Sequence, residues 1–331
     1  MTRQTPFISI LLMLLMPSLV LGNWHKGGAA IMGTRISVEI WHEDNTTAKH
    51  AIEAVLDEFR RIDRALSPYI EESELFRVNR DADKQRTSIS QEFFDLLERS
   101  LAYSQLTDGA FDITFASIGY HYDFRKGIRP SEDVIGNALP LINYRLIRLD
   151  TDSRTVAFAQ EGVRIDLGGI AKGYAVDRGI GILQRLGIEH ALISAGGDSR
   201  LLGDHRGRPW HIGIQAPRNK EALAAVLPLS ETAVSTSGDY ERFFERDGVR
   251  HHHIISPKTG RSAGELRSVT ILGPNTTHTD ALSTSVFVLG LKEGLALINR
   301  LDDVEAVIID NQGKMHMSKG MEDLRPSSAE N

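Results

Sequence analysis

The sequence contains no cysteine among its 331 residues. Disulfide bonds, zinc–thiolate centres and thiol catalysis are therefore excluded. A lipid-anchored bacterial precursor needs a cysteine at its cleavage site, so that kind of anchor is excluded too. We expect a soluble protein.

An excess of positive charge is also lacking. Lysine and arginine number 38 against 44 acidic residues, which gives a net charge of -6. This balance gives no reason to expect nucleic acid or an anionic membrane as a partner. It disfavours an anionic ligand as well, unless a cation or backbone dipoles compensate. The sequence shows no clear internal repeat and no low-complexity linker, and its composition is that of a globular domain.

An apolar segment near the N-terminus predicts export. Arg3 supplies a basic residue, and Phe7 to Met16 is apolar but too short to span a bilayer as a helix. Val20 and Gly22 are small residues at the positions that precede a cleavage site. Residues 1–22 are therefore predicted to be a cleaved signal peptide, the alternative being an uncleaved anchor. An exported chain without cysteine fits the bacterial periplasm best.

Hydrophobic periodicity predicts an α+β fold with mainly antiparallel sheets and packed helices. Helical spacing covers 47–66, 90–106 with Ser90 as N-cap, 170–186, the segment that begins near Asp280, and 292–301. Strands are predicted at 32–40, 145–149, 155–158, 163–167, 191–194, 199–203, 210–215, 222–227, 233–237, 268–273, 306–309 and 314–317. A hairpin is predicted over 239–255, with Asp247-Gly248 as its turn. We expect one domain over 23–321, which allows two packed lobes, a surface loop at 127–137 and a loose tail at 322–331.

Asp280 and Thr284 form the first candidate site. They are four residues apart, so they lie on one face of an otherwise apolar helix. Burying a carboxylate is costly unless it is paired or bound to a metal. Two oxygen ligands without nitrogen or sulfur suit a hard cation such as Mg²⁺. The alternative is that Asp280 caps the helix and Thr284 hydrogen-bonds to its own helix.

Three glycine-containing turns form a second candidate site. They are Gly168-Gly169 before a helix, Gly196-Gly197 after a strand, and Gly109 in a turn with a carboxylate. Glycine permits a close approach of backbone to ligand, and a helix N-terminus attracts phosphate. The three turns together favour a ligand cradle, although each alone is compatible with a structural turn. The glycine spacing matches neither a P-loop nor a dinucleotide fingerprint.

His251-His252-His253 suggests zinc only weakly. Adjacent residues on a strand alternate between faces, so at most two of the three imidazoles could converge. We expect His253 to face a pocket and the other two to be solvated.

Several motifs in this order make the chain resemble the ApbE family, the FAD:protein FMN transferases. The motifs are Met32-Gly33-Thr34, Leu66-Ser67-Pro68-Tyr69 with Ser73-Glu74, Asp108-Gly109-Ala110-Phe111-Asp112-Ile113-Thr114, Asp166-Leu167-Gly168-Gly169-Ile170-Ala171-Lys172-Gly173, Ser194-Ala195-Gly196-Gly197-Asp198, His253-Ile254-Ile255-Ser256-Pro257-Lys258-Thr259-Gly260 and Asp280-Ala281-Leu282-Ser283-Thr284. The resemblance implies a T-fold-related α+β architecture. It also implies a Mg²⁺-dependent reaction in which a Thr or Ser hydroxyl of an acceptor protein attacks FAD, FMN stays on the acceptor and AMP leaves.

The resemblance also implies roles for single residues. Asp280, Thr284 and the Gly169 carbonyl correspond to the metal ligands of the family. Positions that contact FAD correspond to Met32, Tyr69, Ala110, Phe111, Asp112, Asp166, Lys172 and Ile255. His253 or Asp280 is the candidate for assisting deprotonation of the acceptor hydroxyl. The acceptor is expected to be another exported or membrane-bound protein with an Asp-x-x-Thr/Ser-Gly-Ala-Thr motif, since this chain contains none.

One position departs from the family. Ser256 stands before the proline where the family usually has Asp, which removes a carboxylate near the flavin. Two other functions are compatible with the same residues. One is a Mg²⁺-dependent FAD pyrophosphatase that yields FMN and AMP, and the other is a flavin-binding protein without turnover.

Overall fold

The computed structural model describes residues 22–322. The predicted signal peptide, except Gly22, and the tail beyond Glu322 lie outside the described residues. The helices are α1 Asn45–Leu66, α2 Glu74–Asp81, α3 Gln91–Leu106, α4 Ala116–Gly119, α5 Glu132–Ala138, α6 Ala171–Arg185, α7 Thr276–Leu289, α8 Leu291–Ile298 and α9 Lys319–Glu322. The strands are β1 Asn23–Ile31, β2 Thr34–His42, β3 Thr87–Ser88, β4 Ile147–Asp150, β5 Thr155–Phe158, β6 Ala191–Ala195, β7 Asp198–Leu202, β8 Trp210–Ala216, β9 Asn219–Leu229, β10 Ala233–Gly238, β11 Phe243–Arg246, β12 Val249–His252, β13 Leu266–Gly273, β14 Glu305–Asp310 and β15 Met315–Met317.

An eight-stranded sheet forms the centre of the protein. Its strand order is β1-β2-β6-β7-β10-β13-β14-β15, and each neighbouring pair is antiparallel. In β2 the apolar residues Ile36, Val38 and Ile40 are almost fully buried and alternate with more exposed residues. This alternation gives the sheet an apolar face that must be covered.

Helices cover that face. Helices α1 and α6 lie over β1, β2, β6 and β7, and α7 lies over β10 and β13. The packing is close where α1, α6 and β6 meet, since a methyl group on Gly179 would lie 2.9 Å from Ile193 and 3.1 Å from Val55. The opposite face of β10, β13 and β14 is covered by the β8–β9 hairpin, where Ile214 packs with Val234 and Leu272.

The structure confirms the α+β class and most of the predicted elements. Helix α3 begins after Ser90, whose hydroxyl accepts a hydrogen bond from the Phe93 amide at 3.2 Å. The Asp247-Gly248 turn joins β11 to β12, and both residues have positive φ, as such a turn requires. Within residues 22–322, no helix is long and apolar enough to span a bilayer.

Two expectations about single segments were wrong, and one strand was missed. Residues 163–167 are extended but pair with no strand of the described chain, because they lead into the turn before α6. The expected loop at 127–137 contains α5, which Ser131 caps by accepting from the Val134 amide. Strand β1 was not predicted, because its sequence contains Gly27-Gly28 and only weak alternation. Gly28 is nevertheless required there, since a methyl group would lie 2.4 Å from the Ile36 carbonyl oxygen.

Candidate active site

The candidate site lies at one end of the large sheet, where two turns and the end of a strand meet. They are the β1–β2 turn at Met32-Gly33, the two-residue turn Gly196-Gly197 between β6 and β7, and the end of β10. Gly197 is closely packed there, because a side chain would lie 2.4 Å from the Thr236 carbonyl oxygen. The short turn places Asp198, the first residue of β7, beneath the N-terminal halves of α6 and α7.

Helices α6 and α7 are in backbone contact at this site. A methyl group on Gly173 would lie 2.2 Å from the Thr276 carbonyl oxygen and 2.8 Å from the Asp280 Cβ atom. The absence of a side chain lets the Gly173 amide donate a hydrogen bond to Asp280 Oδ2 at 3.0 Å. The sequence singled out both residues, but their direct contact is visible only in the fold.

Lys172 joins two buried carboxylates. Its ammonium group donates a short hydrogen bond to Asp198 Oδ2 and lies 3.4 Å from Asp280 Oδ1. Asp198 and Asp280 are each 2% exposed. Burial alone would lower the pKa of Lys172, but the two carboxylates raise it above its ordinary value. Burial and the neighbouring Asp198 raise the pKa of Asp280, although Lys172 and the Gly173 amide oppose this. The site therefore holds one more carboxylate than the lysine can neutralise.

Thr284 lies one helical turn after Asp280 in α7, and Gly169 lies next to Thr284. A methyl group on Gly169 would lie 3.3 Å from the Thr284 hydroxyl oxygen and 3.2 Å from the Phe111 ring. Ser237 Oγ, at the end of β10, is 3.4 Å from Thr284 Oγ1. The structure thus brings the three predicted metal ligands into one place.

The donor chemistry of this group fits a hard cation. A buried carboxylate in excess, a hydroxyl and a backbone carbonyl are all oxygen ligands, which Mg²⁺ prefers. The part of the chain that the structure describes holds no cluster of three or more His, Cys, Asp or Glu side chains placed to bind a metal.

The alternative in which Asp280 caps α7 is wrong. The N-cap is Asn275, whose side chain accepts from the His278 amide at 2.9 Å. Asp177 of α6 accepts from the Thr276 and Thr277 amides at 2.8 and 2.7 Å. These partners satisfy the start of α7, so Asp280 is not needed there.

The predicted FAD-contacting residues 110–112 form a buried turn beside Gly169. Ala110, Phe111 and Asp112 are each at most 6% exposed. The Asp112 carboxylate accepts from the Thr114 amide and hydroxyl and, at 2.7 Å, from the Tyr144 amide. Burial raises the pKa of Asp112 against these hydrogen bonds. Its side chain therefore holds the turn together, and the backbone of the turn is what remains for a ligand.

The other predicted FAD-contacting residues differ in exposure. Tyr69 is 79% exposed, so its ring has a face free in the described chain. Met32 occupies the β1–β2 turn with a positive φ of 53°. Asp166 accepts from the Gly168 amide at 2.6 Å, and burial raises its pKa. Ile255 is buried in a small apolar cluster with Ile118.

His253 lies near two cationic side chains, those of Lys172 and Arg242. Burial, with Arg242, His252 and Lys172 nearby, lowers the pKa of His253 to about 3, so its imidazole is neutral at neutral pH. Its Nδ1 atom is buried and has no hydrogen-bond partner among residues 22–322. That His253 faces a pocket stays a prediction.

The expectation of solvation was wrong for His252. His252 is 3% exposed, its Nε2 atom is 2.7 Å from the Ala263 carbonyl oxygen, and its ring packs against Phe287. His251 is partly exposed, and its ring stacks on Phe244 with ring centroids 5.0 Å apart.

A cavity of about 340 Å³ opens beside the 110–112 turn. Its lining includes Asp112, Tyr144, Pro257 and Lys258. Asp112 directly follows Phe111, whose ring lies beside Gly169.

Sequence reasoning missed two charged residues of the site, Asp198 and Arg242. Asp198 follows the Gly196-Gly197 pair at the start of a strand, and that position was a usable signal for a side chain directed at the site. Arg242 precedes β11 and is brought to the site by the fold of the hairpin. No local pattern identifies it.

The fold and the site define an α+β protein with an oxygen-lined, charged site at one end of an antiparallel sheet. The ApbE family model matches residues 32–308 of the chain. A FAD:protein FMN transferase from Treponema pallidum (strain Nichols) is 32% identical over 312 residues, which cover 88% of this chain and 86% of that protein. A FAD:protein FMN transferase from Klebsiella pneumoniae (strain 342) is 30% identical over 285 residues, covering 85% of this chain and 87% of that protein.

Solved structures agree with these relatives. The crystal structure of an ApbE protein from Thermotoga maritima superposes with a TM-score of 0.85 at 32% identity, over 92% of this chain and 100% of that chain. The flavin transferase ApbE from Vibrio cholerae superposes with a TM-score of 0.80 at 26% identity, over 92% of this chain and 99% of that chain. The chain belongs to the ApbE family.

Proposed function

We propose that this protein uses Mg²⁺ to transfer the FMN part of FAD to a threonine or serine hydroxyl of another protein, with release of AMP. The protein is a transferase of the FAD:protein FMN transferase class, as its ApbE relatives are by name. The metal, the leaving group and the acceptor hydroxyl are the proposed parts.

One observation carries the proposal, namely the grouping of Asp280, Thr284 and Gly169 beside Lys172. A simple flavin-binding protein has little need for a buried carboxylate in excess. Phosphoryl transfer does need positive charge near the phosphates, and most of its catalysis comes from positioning and charge neutralisation. A chain with a net charge of -6 needs such a cation all the more to hold an anionic substrate.

Bound Mg²⁺ would offset the negative charge of the FAD diphosphate. Asp280, Thr284 and the Gly169 carbonyl are the residues that would hold it. Lys172 favours the ionised form of Asp280 by donating to its carboxylate, and Lys172 is itself paired with Asp198. The Gly173 amide fixes the Asp280 side chain in one orientation.

The reaction exchanges the phosphoanhydride bond of FAD for a phosphoester bond to the acceptor. The acceptor oxygen bonds to the phosphorus nearer the riboflavin, the bond from that phosphorus to the bridging oxygen breaks, and AMP leaves with the bridging oxygen. The acceptor hydroxyl loses its proton. The candidates to accept it are His253, whose Nδ1 atom is unpartnered among residues 22–322, and the Asp280 carboxylate. The Asp280 carboxylate already accepts hydrogen bonds from Gly173 and Lys172.

FAD has two places to be held. The exposed ring of Tyr69 is suited to stacking on an aromatic ring system, and the cavity of about 340 Å³ beside Asp112 has room for part of the dinucleotide. We propose that FAD extends across them, with its diphosphate near Lys172.

We propose the periplasm as the location, on the strength of the predicted signal peptide at 1–22 and the absence of cysteine. The acceptor is then an exported or membrane-bound protein that presents a Thr or Ser hydroxyl. The proposed acceptor pattern is Asp-x-x-Thr/Ser-Gly-Ala-Thr.

Chromatography of the nucleotide products tests the proposal. The protein is incubated with FAD and Mg²⁺, with and without a peptide that carries the acceptor pattern. We expect AMP to form in proportion to the peptide and to disappear when EDTA is added. AMP and free FMN formed at the same rate without peptide would instead identify a pyrophosphatase, and no AMP under any condition would identify a flavin-binding protein.

A further inference from the structure

Arg242 has an exposed guanidinium without an acidic partner. Its Nη2 atom donates a hydrogen bond to the Gly33 carbonyl oxygen at 3.2 Å, and it forms no ion pair with residues 22–322. Nearby arginines differ in this respect. Arg218 and Arg250 are both paired with Asp239, at 2.6 and 3.6 Å. An arginine that is left unpaired among paired neighbours is available to a ligand.

The position of Arg242 places this group at the mouth of the site. Its backbone carbonyl accepts from the His253 amide at 3.1 Å, which fixes its Cα atom beside the candidate base. Its side chain reaches the β1–β2 turn, where a methyl group on Gly33 would lie 3.1 Å from Nη2. The guanidinium is also close enough to oppose the rise that burial causes in the pKa of Asp166.

The ion pairs of the site leave Arg242 as the cation that can bind a substrate. Lys172 already forms ion pairs with two buried carboxylates, and their negative charge offsets its attraction for an anionic substrate. Arg242 is the cation at this site that no carboxylate has neutralised within 4.0 Å among the described residues. A guanidinium presents several donors in a fixed plane and suits phosphate and carbonyl oxygens better than an ammonium does.

We propose that Arg242 is a further substrate-binding residue, whose guanidinium donates hydrogen bonds to oxygen acceptors of the flavin nucleotide. This inference rests on the proposed function, because it takes FAD as the substrate. The oxygen acceptors have two possible sources, the carbonyl edge of the flavin ring and the phosphate nearer the riboflavin. The rival explanation is that Arg242 merely ties the β11–β12 hairpin to the β1–β2 turn.

Binding measurements on the full-length mature protein separate these explanations. Flavin fluorescence gives Kd for riboflavin, FMN and FAD, with Mg²⁺ and without acceptor, for the wild type, Arg242→Gln and Arg242→Lys. The matched control is Arg246→Gln, an exposed arginine of the same hairpin whose nearest acid is the neighbouring Asp247. We expect Arg242→Gln to raise the Kd for FAD about tenfold or more, Arg242→Lys to recover part of the loss, and Arg246→Gln to change nothing.

The ligands whose Kd rises in Arg242→Gln identify the group that accepts the hydrogen bonds of the guanidinium. A higher Kd for riboflavin as well supports the flavin carbonyl edge. A higher Kd for FMN and FAD alone supports the phosphate. An unchanged Kd for FAD in Arg242→Gln, with or without a lower Tm, would overturn the inference and leave only the structural tie. If the wild type itself bound no FAD, the proposed function would fail together with the inference, so the two failures are distinguishable.

Discussion

Asp280→Ala is expected to lower the rate of FMN transfer at least about a thousandfold, because it removes the only charged member of the predicted metal-ligand group. The fold should survive. Burial and Asp198 raise the pKa of Asp280, which means that its ionised carboxylate costs free energy in the folded protein without a metal. Alanine removes that cost, while Lys172 keeps its partner Asp198. We therefore expect a Tm within a few degrees of the wild type, together with loss of AMP formation.

Two variants control for this result. Asp302→Ala removes an exposed carboxylate in the turn before β14 and should leave both rate and Tm unchanged. Asp280→Asn keeps the size of the side chain and should lose activity almost as completely as alanine, because an amide is a weaker ligand for a hard cation. Transfer at the wild-type rate in either Asp280 variant would contradict the assignment of Asp280.

Gly173→Ala is expected to destabilise the protein by about 3 kcal/mol and to lower Tm by roughly 5 °C or more. The added methyl group would lie 2.2 Å from the Thr276 carbonyl oxygen, which is backbone and has no flexible way to move aside. Helices α6 and α7 would have to separate, and Asp280 would move away from Lys172 and from the Gly173 amide. Transfer should therefore fall as well, even at temperatures where the variant remains folded.

Gly181→Ala is the matched control in the same helix. A methyl group at residue 181 would meet only the end of the Arg185 side chain, at 3.5 Å. Because alanine lowers the entropy of the unfolded chain, this variant should be about 0.5 kcal/mol more stable and fully active. Thermal unfolding followed by circular dichroism measures both variants. Equal Tm values for the two would show that the close contact of α6 and α7 does not constrain residue 173.

Much of the fold could be predicted because hydrophobic periodicity records which face of an element is covered. Helix α1 spans 45–66 where spacing predicted 47–66, and the α6 prediction at 170–186 was equally close. Predictions failed where tertiary contacts override local pattern. Strand β1 contains two glycines that allow close packing, Gly27 against Ile52 of α1 and Gly28 against Ile36 of β2, so its sequence carries little strand signal. Residues 163–167 have strand-like composition but serve to bring the 168–169 turn to the site.

The site was predictable to the extent that short motifs carry its chemistry. Asp280 and Thr284 share a helix face because of their spacing, and the fold places Gly169 beside them. The Lys172–Asp198 pair, in contrast, joins residues of α6 and β7 whose proximity depends on how the sheet is ordered. Arg242 reaches the site only through the path of the β11–β12 hairpin, and no pattern around it distinguishes it from other surface arginines.

Mass spectrometry of an acceptor peptide tests the central claim most directly. A peptide with the full Asp-x-x-Thr-Gly-Ala-Thr pattern is incubated with the protein, FAD and Mg²⁺, and a second sample contains EDTA. A mass gain equal to covalently bound FMN on the threonine, absent in the EDTA sample, is the predicted result. An unmodified peptide in the presence of accumulating AMP and free FMN would contradict the claim and make the protein a hydrolase of FAD.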